Sequence, residues 1–525
     1  MTVGRRDAAV EPTWMYLRRV MKRLPGPKGV PQTGPIVKSV LAFGTAIWQA
    51  CVIMTEPIDI DSLETFMARL ARLLPPPGPA RWFLLPVYVL ALLVLLYAVG
   101  RPIHVWLGNF YSGPRAPYLQ MPAATAITLR WQTPQAETGV VRYGLRPDRL
   151  DHAAREAEAG EAHRVRLTGL QPDTRYYYAV GNPQGNRYAG DDYTFRTLSV
   201  SLKVPVRFAV LGDPGDPTPL QKKARDALIA WLEHHARPGR PRLDLLLTTG
   251  DNAYTSGTNT QFQKDFFGPY AELLRHVPVI PAYGNHDARR YIFFKLFDFP
   301  THGESGGVPS GTEHWFSLND GPLHLVMLDS ATESLDSDHP MLDWLRRDLA
   351  ANDRPWTVAV MHHPPYTHGS HNSDRRCDSH GRMFAIRKYL LPVLEAGGVD
   401  LVLAGHSHMY ERSHLLDCHY ATSSRLDRKA SLRPPEAGTP PMPYRKRPGP
   451  HSGTIYAVVG SSSKVDQGPL DHPVMAVSEA RVGVLVVDIA GNTLTGRYLR
   501  ADGSLGDRFR LIRDANAPPF HNGCQ

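Results

Sequence analysis

The sequence predicts an α/β protein preceded by an all-β sandwich and an N-terminal membrane-anchor region, and three observations carry that reading. Five apolar runs between residues 206 and 408 end in short polar blocks, residues 112–199 alternate apolar and polar side chains in short segments, and residues 82–99 form an uncharged apolar run. These are the patterns of buried parallel strands, of half-buried antiparallel strands and of a bilayer span.

Residues 1–38 form a basic tail. Its eight Lys and Arg (Arg5, Arg6, Arg18, Arg19, Lys22, Arg23, Lys28, Lys38) face only Asp7 and Glu11, so most of the formal net charge of +9 lies there. Such a placement argues for a membrane-proximal tail, and no nucleic-acid partner is expected. The membrane-anchor region covers residues 39–111. Within it WFLLPVYVLALLVLLYAV (82–99), closed by Arg81 and Arg101, is long enough to cross a bilayer, and Pro86 near one end is tolerable. It starts too far from Met1 for a signal peptide and lacks a small-residue cleavage pattern. A second run, SVLAFGTAIWQACVIMT from about residue 39 to 55, carries Gly44 and Gln49 and reads as a further span or an interfacial helix. Between them SLETFMARLARLL is amphipathic, and PPPGP breaks it. One span places the rest of the chain outside the cytoplasm, periplasmic or extracellular. Two spans return it to the cytoplasm.

Residues 112–199 supply the sandwich. AITLRWQT, GVVRYGL, HRVRLTGL, TRYYYAVGN and YTFRT are short alternating segments punctuated by Gly, Pro, Asp and Asn. Trp131 reads as a core anchor, and LQPDTRYYY resembles the corner that precedes a late strand in fibronectin type III domains.

Residues 200–515 form the α/β domain. VRFAVLGD, LDLLLTTGD, VPVIPAYGNH, WTVAVMHH and DLVLAGHSH read as buried strands delivering polar residues at their C-terminal ends. Helices are expected near 219–235, 340–350 and 384–395, and GTIYAVVG, VGVLVVDI, LTGRYLR and RFRLIRD as later strands. The delivered residues are Asp213, Asp251, Tyr254, Asn285, His362, His406 and His408. Carboxylates, an amide oxygen, a phenol and imidazoles suit two cations held about 3.5–4 Å apart.

Taken in order, GDPGD, GDNAY, GNHD, MHHPPY and GHSH resemble the calcineurin-like metallophosphoesterase superfamily, and Tyr254, three residues after Asp251, narrows the resemblance to the purple acid phosphatase branch. The resemblance covers residues 112–515 and implies a two-sheet αββα sandwich behind a fibronectin-like domain. It implies a first metal, Fe(III), on Asp213, Tyr254 and His408. A second, Fe(II), Zn(II) or Mn(II), falls on Asn285, His362 and His406, with Asp251 bridging. Water activated there would attack a phosphate ester in line. His286 and His371 are the candidates for protonating the leaving group and, with Asn285, for binding substrate; His363 and His368 follow behind. Asp216 and Asp287 read as turn or outer-shell residues, and Glu411 and Arg412 as a structural ion pair. The implied activity is phosphomonoester hydrolysis with an acidic optimum. Two rivals stand beside it: a phosphodiesterase or nucleotidase on the same ligands, and a non-catalytic membrane-tethered binding module. The family's usual secreted placement favours the single span.

Two features stand outside that pattern. Residues 418–452 are rich in Pro, Lys and Arg (Arg425, Arg428, Lys429, Arg445, Lys446, Arg447) and read as a solvated loop, or else as a funnel for anions. Of four cysteines, Cys51 lies in the first apolar run; Cys377 and Cys418 can pair, or all can be free.

Overall fold

A computed structural model describes residues 105, 107–289, 292–332, 334–436, 442–517 and 524, with the side chain of Arg289 excepted. The basic tail and both apolar runs, 39–55 and 82–99, lie outside the described residues. Among the described residues no helix is long and apolar enough to cross a membrane.

The first domain is built as its alternation demands. Strands β1 (Arg115–Gln120), β2 (Ile127–Glu137) and β5 (Gly160–Leu167) form one antiparallel sheet; β3 (Val140–Gly144), β4 (His152–Arg155), β6 (Arg175–Asn182), β7 (Gly185–Tyr188) and β8 (Thr194–Arg196) form the other. Trp131 is buried between them, stacked on His163 at 4.6 Å. The Tyr176 hydroxyl accepts from Gln171 N at 2.9 Å, which closes the corner read in LQPDTRYYY.

The second domain has two seven-stranded sheets. In the first, β9 (Val206–Leu211), β10 (Leu245–Thr248) and β11 (Val279–Pro281) run parallel, and every residue of the three is buried. In the second, β12 (Phe316–Asp320) pairs antiparallel with β13 (Leu323–Met327), and β14 (Trp356–Val360) and β15 (Leu401–Ala404) continue parallel to β13. Later strands finish both sheets. β16 (Tyr410–Ser413), β20 (Ile455–Val459) and β21 (Met475–Glu479) extend the second, and the small ribbon of β17 (Leu415–Leu416) and β18 (Leu432–Arg433) lies between β16 and β20 in the chain. β22 (Gly483–Ala490), β23 (Thr493–Arg500), β24 (Leu505–Arg513) and β19 (Pro443–Lys446) extend the first. One apolar cluster joins the sheets, from Phe208 and Val486 to Val358 and Leu403. A second cluster seats helices on the outer face of the second sheet.

The helices fall where expected. α1 (Pro219–His234) starts at Thr218, whose side chain accepts from Gln221 N, and buries Ala224, Leu228 and Leu232 at helical spacing. α2 (Pro340–Ala351) buries Met341, Leu342, Trp344 and Leu345. The third expected helix is broken into Arg382–Ala385, a wider turn at Ile386–Leu390, and Leu391–Ala396. Pro392 has no N–H to offer the preceding turn, which accounts for the wider spacing there.

Two readings are corrected. The basic stretch is not a bare loop: Lys446 is fully buried with its ammonium 2.9 Å from Asp400, and Arg445 pairs with Glu436 and Asp514. Cys418 does not pair with Cys377 but with Cys524, 106 residues on, and Cys377 is a free, exposed thiol.

Candidate metal centre

Five loops leave the C-terminal ends of buried strands and meet. Asp213 follows β9, Asp251 and Tyr254 follow β10, Asn285 and His286 follow β11, His362 follows β14, and His406 and His408 follow β15. Asp213, Asp251 and His406 take φ of 50°, 52° and 66°, a left-handed backbone that costs an L residue about 1–2 kcal/mol. Glycines allow the close approach. A Cβ at Gly284 would meet Asp251 N at 2.1 Å, and one at Gly405 would meet Asp213 Oδ2 at 2.2 Å.

The donors form two halves that share one carboxylate. In the first, Tyr254 Oη stands 3.2 Å from Asp213 Oδ1, 3.0 Å from Asp251 Oδ2 and 3.0 Å from His408 Nε2. In the second, His362 Nε2 stands 2.8 Å from Asn285 Oδ1 and 3.5 Å from Asp251 Oδ1, with the His406 ring 5.0 Å from that of His362. Asp251 therefore turns one oxygen toward each half.

Outer hydrogen bonds orient the imidazoles. His362 Nδ1 donates to Thr249 O at 2.8 Å, His408 Nδ1 contacts Asp466, and His406 Nε2 is engaged by Ser379 Oγ at 2.7 Å. The opposite nitrogen of each ring is left for the centre. Burial, then the neighbouring imidazoles His363 and His362, hold His406 well below the usual histidine range, so it is a neutral donor. Burial opposes ionisation of Asp251, but His362 and His286 nearby outweigh it and hold the carboxyl low. Burial and the two carboxylates push the Tyr254 phenol well up, so only a cation would ionise it. Two buried carboxylates, a phenol with one proton to share, an amide oxygen and three imidazole nitrogens bring donor atoms to face one another, and a pair of cations fits that set.

The remaining expected residues divide. His286 reaches the centre: its amide donates to Asp251 Oδ1 at 2.8 Å, its ring lies 4.5 Å from that of Tyr254, and Nδ1 donates to Thr255 O. His371 reaches it from the other half, stacked on His406 at 4.0 Å with Nδ1 held by Asp378 at 2.8 Å. His363 is buried against His406. His368 does not face the centre; it contacts Asp374 and Asp471 instead. Asp216 pairs with Lys464, and buried Asp287 accepts from the Asn252 and Gly284 amides. Glu411 and Arg412 do not pair with each other. Arg412 forks onto Asp507 at 2.6 and 3.1 Å, while Glu411 accepts from Thr367 and the His368 amide.

Lys464, Asp466, Asp378 and Ser379 escaped the sequence reading. Lys464 Nζ lies 4.0 Å over the Tyr254 ring. Lys464 and Asp466 share the polar stretch SSSKVDQG after β20, and that position after a buried strand was the one signal available.

Comparisons with known proteins agree with this geometry. Residues 206–410 match the calcineurin-like phosphoesterase family, and residues 114–197 match the N-terminal domain of purple acid phosphatases. Purple acid phosphatase 15 of Arabidopsis thaliana is 33% identical over 291 residues, which is 49% of this chain and 50% of that protein. Purple acid phosphatase 21 of the same plant is 31% identical over 52% of this chain and 60% of its own length. The chain thus spans about half the length of the curated relatives it matches. Among solved structures, a purple acid phosphatase from yellow lupin (Lupinus luteus) seeds superposes with a TM-score of 0.58 at 18% identity, over 77% of this chain and 75% of that one, which establishes the fold. Residues 206–410 thus carry a calcineurin-like phosphoesterase domain and residues 114–197 a domain matching the N-terminal domain of purple acid phosphatases, in agreement with the donor geometry.

Proposed function

We propose that the chain is a metal-dependent phosphomonoesterase. One observation carries this: seven donors from five loops converge in two halves, with Asp251 facing both. Asp213, Tyr254 and His408 would hold the first ion and Asn285, His362 and His406 the second. The phenol favours Fe(III) in the first half, and the second set suits Fe(II), Zn(II) or Mn(II). Bound there, such ions supply Lewis-acid polarisation of a phosphoryl oxygen and lower the pKa of water.

The chain's own groups supply the rest. His286 and His371, whose side chains are 23% and 32% exposed, lean on opposite halves of the centre. Both would contact a phosphate ester seated between the halves. His286 has Nδ1 committed to Thr255 O and Nε2 3.8 Å from the Asp251 carboxylate; His371 has Nδ1 committed to Asp378. Either imidazolium would neutralise the phosphoryl oxygens or protonate the leaving alkoxide, and the buried strand ends keep the donors fixed meanwhile.

The test compares p-nitrophenyl phosphate with bis-p-nitrophenyl phosphate, using full chain purified without chelator, with metal content and the visible spectrum recorded. Hydrolysis of the monoester with iron and a visible band is expected, and Tyr254→Phe should abolish the band. Metal-loaded protein inert toward both esters would sink the reading; preference for the diester would move it to the phosphodiesterase rival.

For placement, the reading is a single span at 82–99 with the enzyme outside the cytoplasm. The Cys418–Cys524 disulfide supports it, because such bonds persist in oxidising compartments. Protease accessibility of the domain in intact cells tests it, and full protection would overturn it.

A further inference from the structure

His368 was expected near the reaction and instead helps to build a second cluster. His371 sits in the loop Tyr366–Asp374, and His368 and Asp374 lie three residues to either side of it. A ring nitrogen of His368, a carboxylate oxygen of Asp374 and a ring nitrogen of His472 lie within 4.8 Å of one another. His368 Nε2 is 3.2 Å from Asp374 Oδ2, and its other nitrogen, Nδ1, donates to Asp471 Oδ1 at 2.8 Å. A carboxylate behind a ligating imidazole is the arrangement that fixes the tautomer of metal-bound histidines.

Hydrogen bonding within the protein leaves this cluster incomplete. His472 is 3% exposed, and its Nε2 has no hydrogen-bond partner. The Val474 amide approaches its Nδ1 at 3.4 Å, too long to hold one tautomer firmly. Burial, then the neighbouring His368, pushes His472 down to about 3, so its ring is neutral and able to ligate. Asp374 is ionised in spite of its burial, because the Ser423 hydroxyl and amide both donate to it. His419 lies beside the group, and its Nε2 is likewise buried without a partner. Arg387 adds a positive charge nearby, offset by Asp374 and Asp471.

We infer that His368, Asp374 and His472 form a third metal site, suited to Zn2+, that fastens the loop carrying His371 to the loop carrying Asp471 and His472. Two imidazoles and one carboxylate are a common zinc set, with the fourth place left to water. The backbone already brings the two loops together: Leu470 N donates to His368 O at 2.8 Å, and His368 pairs with Asn372 across the turn. The ion would hold both shoulders of His371 while that ring stacks on His406. Binding of this ion is independent of the phosphomonoesterase reading; the total count of three includes the two ions of that centre, and the benefit to His371 rests on the reading.

The experiment is metal counting by mass spectrometry on the full chain, purified without chelator and dialysed against metal-free buffer. About three equivalents are expected for the wild type, and about two for Asp374→Asn and His472→Gln, with the visible band unchanged in both. About two equivalents in the wild type overturns the site, as does a count of about three in either variant. A measurement without variants covers the case that both misfold: chelator-stripped wild type is modified with diethyl pyrocarbonate, with and without added Zn2+, and mapped by peptide. Protection of His368 by Zn2+ supports the site, and equal modification overturns it. An enzyme inert toward phosphate esters but binding the third ion would leave this inference standing and remove the other.

Discussion

Tyr254 is the residue on which the proposed visible band rests, and its surroundings bear on how it would behave. Lys464 Nζ lies 4.0 Å from the ring centroid and 3.3 Å from Asp216. A cation over a phenol face is attracted by about 0.5–2 kcal/mol, and more if the ring carries the negative charge of a phenolate. Lys464 would lower the energy of the phenolate electrons and so raise the energy needed to move one onto iron. Lys464→Met should therefore shift the visible band to longer wavelength with the metal count unchanged; a stationary band would mean that the ammonium does not act on the phenolate. The donors themselves were legible because each ends a strand in a short block such as GD or GHSH, where a buried strand must hand its chain to a tight turn. Their supports were not. Asp466 contacts His408 from 58 residues away and Asp378 holds His371 from the start of a short 3-10 turn, and neither position carries a periodicity or motif that reports the contact.

Elements were read well where burial sets the pattern and poorly where a charge decides it. Fully apolar β9, β10, β14 and β15 were visible as runs, but β19 (Pro443–Lys446) looked like solvent-exposed loop. Lys446 lies on it because Asp400, at the start of β15, waits beneath. The hairpin of β12 and β13 carries a similar device. Asp320 Oδ1 accepts from Ser199 N at 2.8 Å, pinning the segment that joins the two domains. Burial, then the charge of Asp244, raises its carboxyl to about 7, against help from the Ser199 amide and Arg240. Below about pH 4 folded and unfolded forms are both protonated and the group is neutral in its effect. From about pH 4 to 7 the unfolded chain has lost a proton that the folded chain keeps, so stability falls as pH rises and levels off above. Asp320→Asn keeps an acceptor for Ser199 and removes the titration. Thermal denaturation should find the variant equal to wild type near pH 4 and more stable by on the order of 2 kcal/mol near pH 8. A constant difference across that range would assign the pH dependence elsewhere.

At the scale of the whole molecule, two fastenings hold the fold around its centre, and sequence pattern reported neither. The sandwich docks through polar groups on its strand faces. Arg115 donates to Asn259 and Gln263 and lies over Phe267, Gln120 reaches Val279 O, and the Tyr178 hydroxyl reaches Arg275 O. Such contacts depend on which face meets which, and alternation alone shows only that a face is outward. The second fastening is the Cys418–Cys524 disulfide, which spans 106 residues and encloses β18 to β24 in one covalent loop. Closing a loop of that length removes freedom chiefly from the unfolded chain, worth about 4–5 kcal/mol by loop entropy and commonly 2–4 in practice. Alkylation of the native protein without reductant should label Cys377 and spare Cys418 and Cys524. Cys524→Ser should lower the denaturation midpoint in the absence of reductant, and adding reductant should lower that of the wild type to the same value. The centre lies on loops after β9, β10, β11, β14 and β15, all five of which place their donors ahead of the closed loop and none of which carries either cysteine. Loss of the bond should therefore cost stability before it costs metal: the reduced protein at low temperature should keep its ions and its spectrum, and early loss of both would show that the covalent loop also shapes the donors.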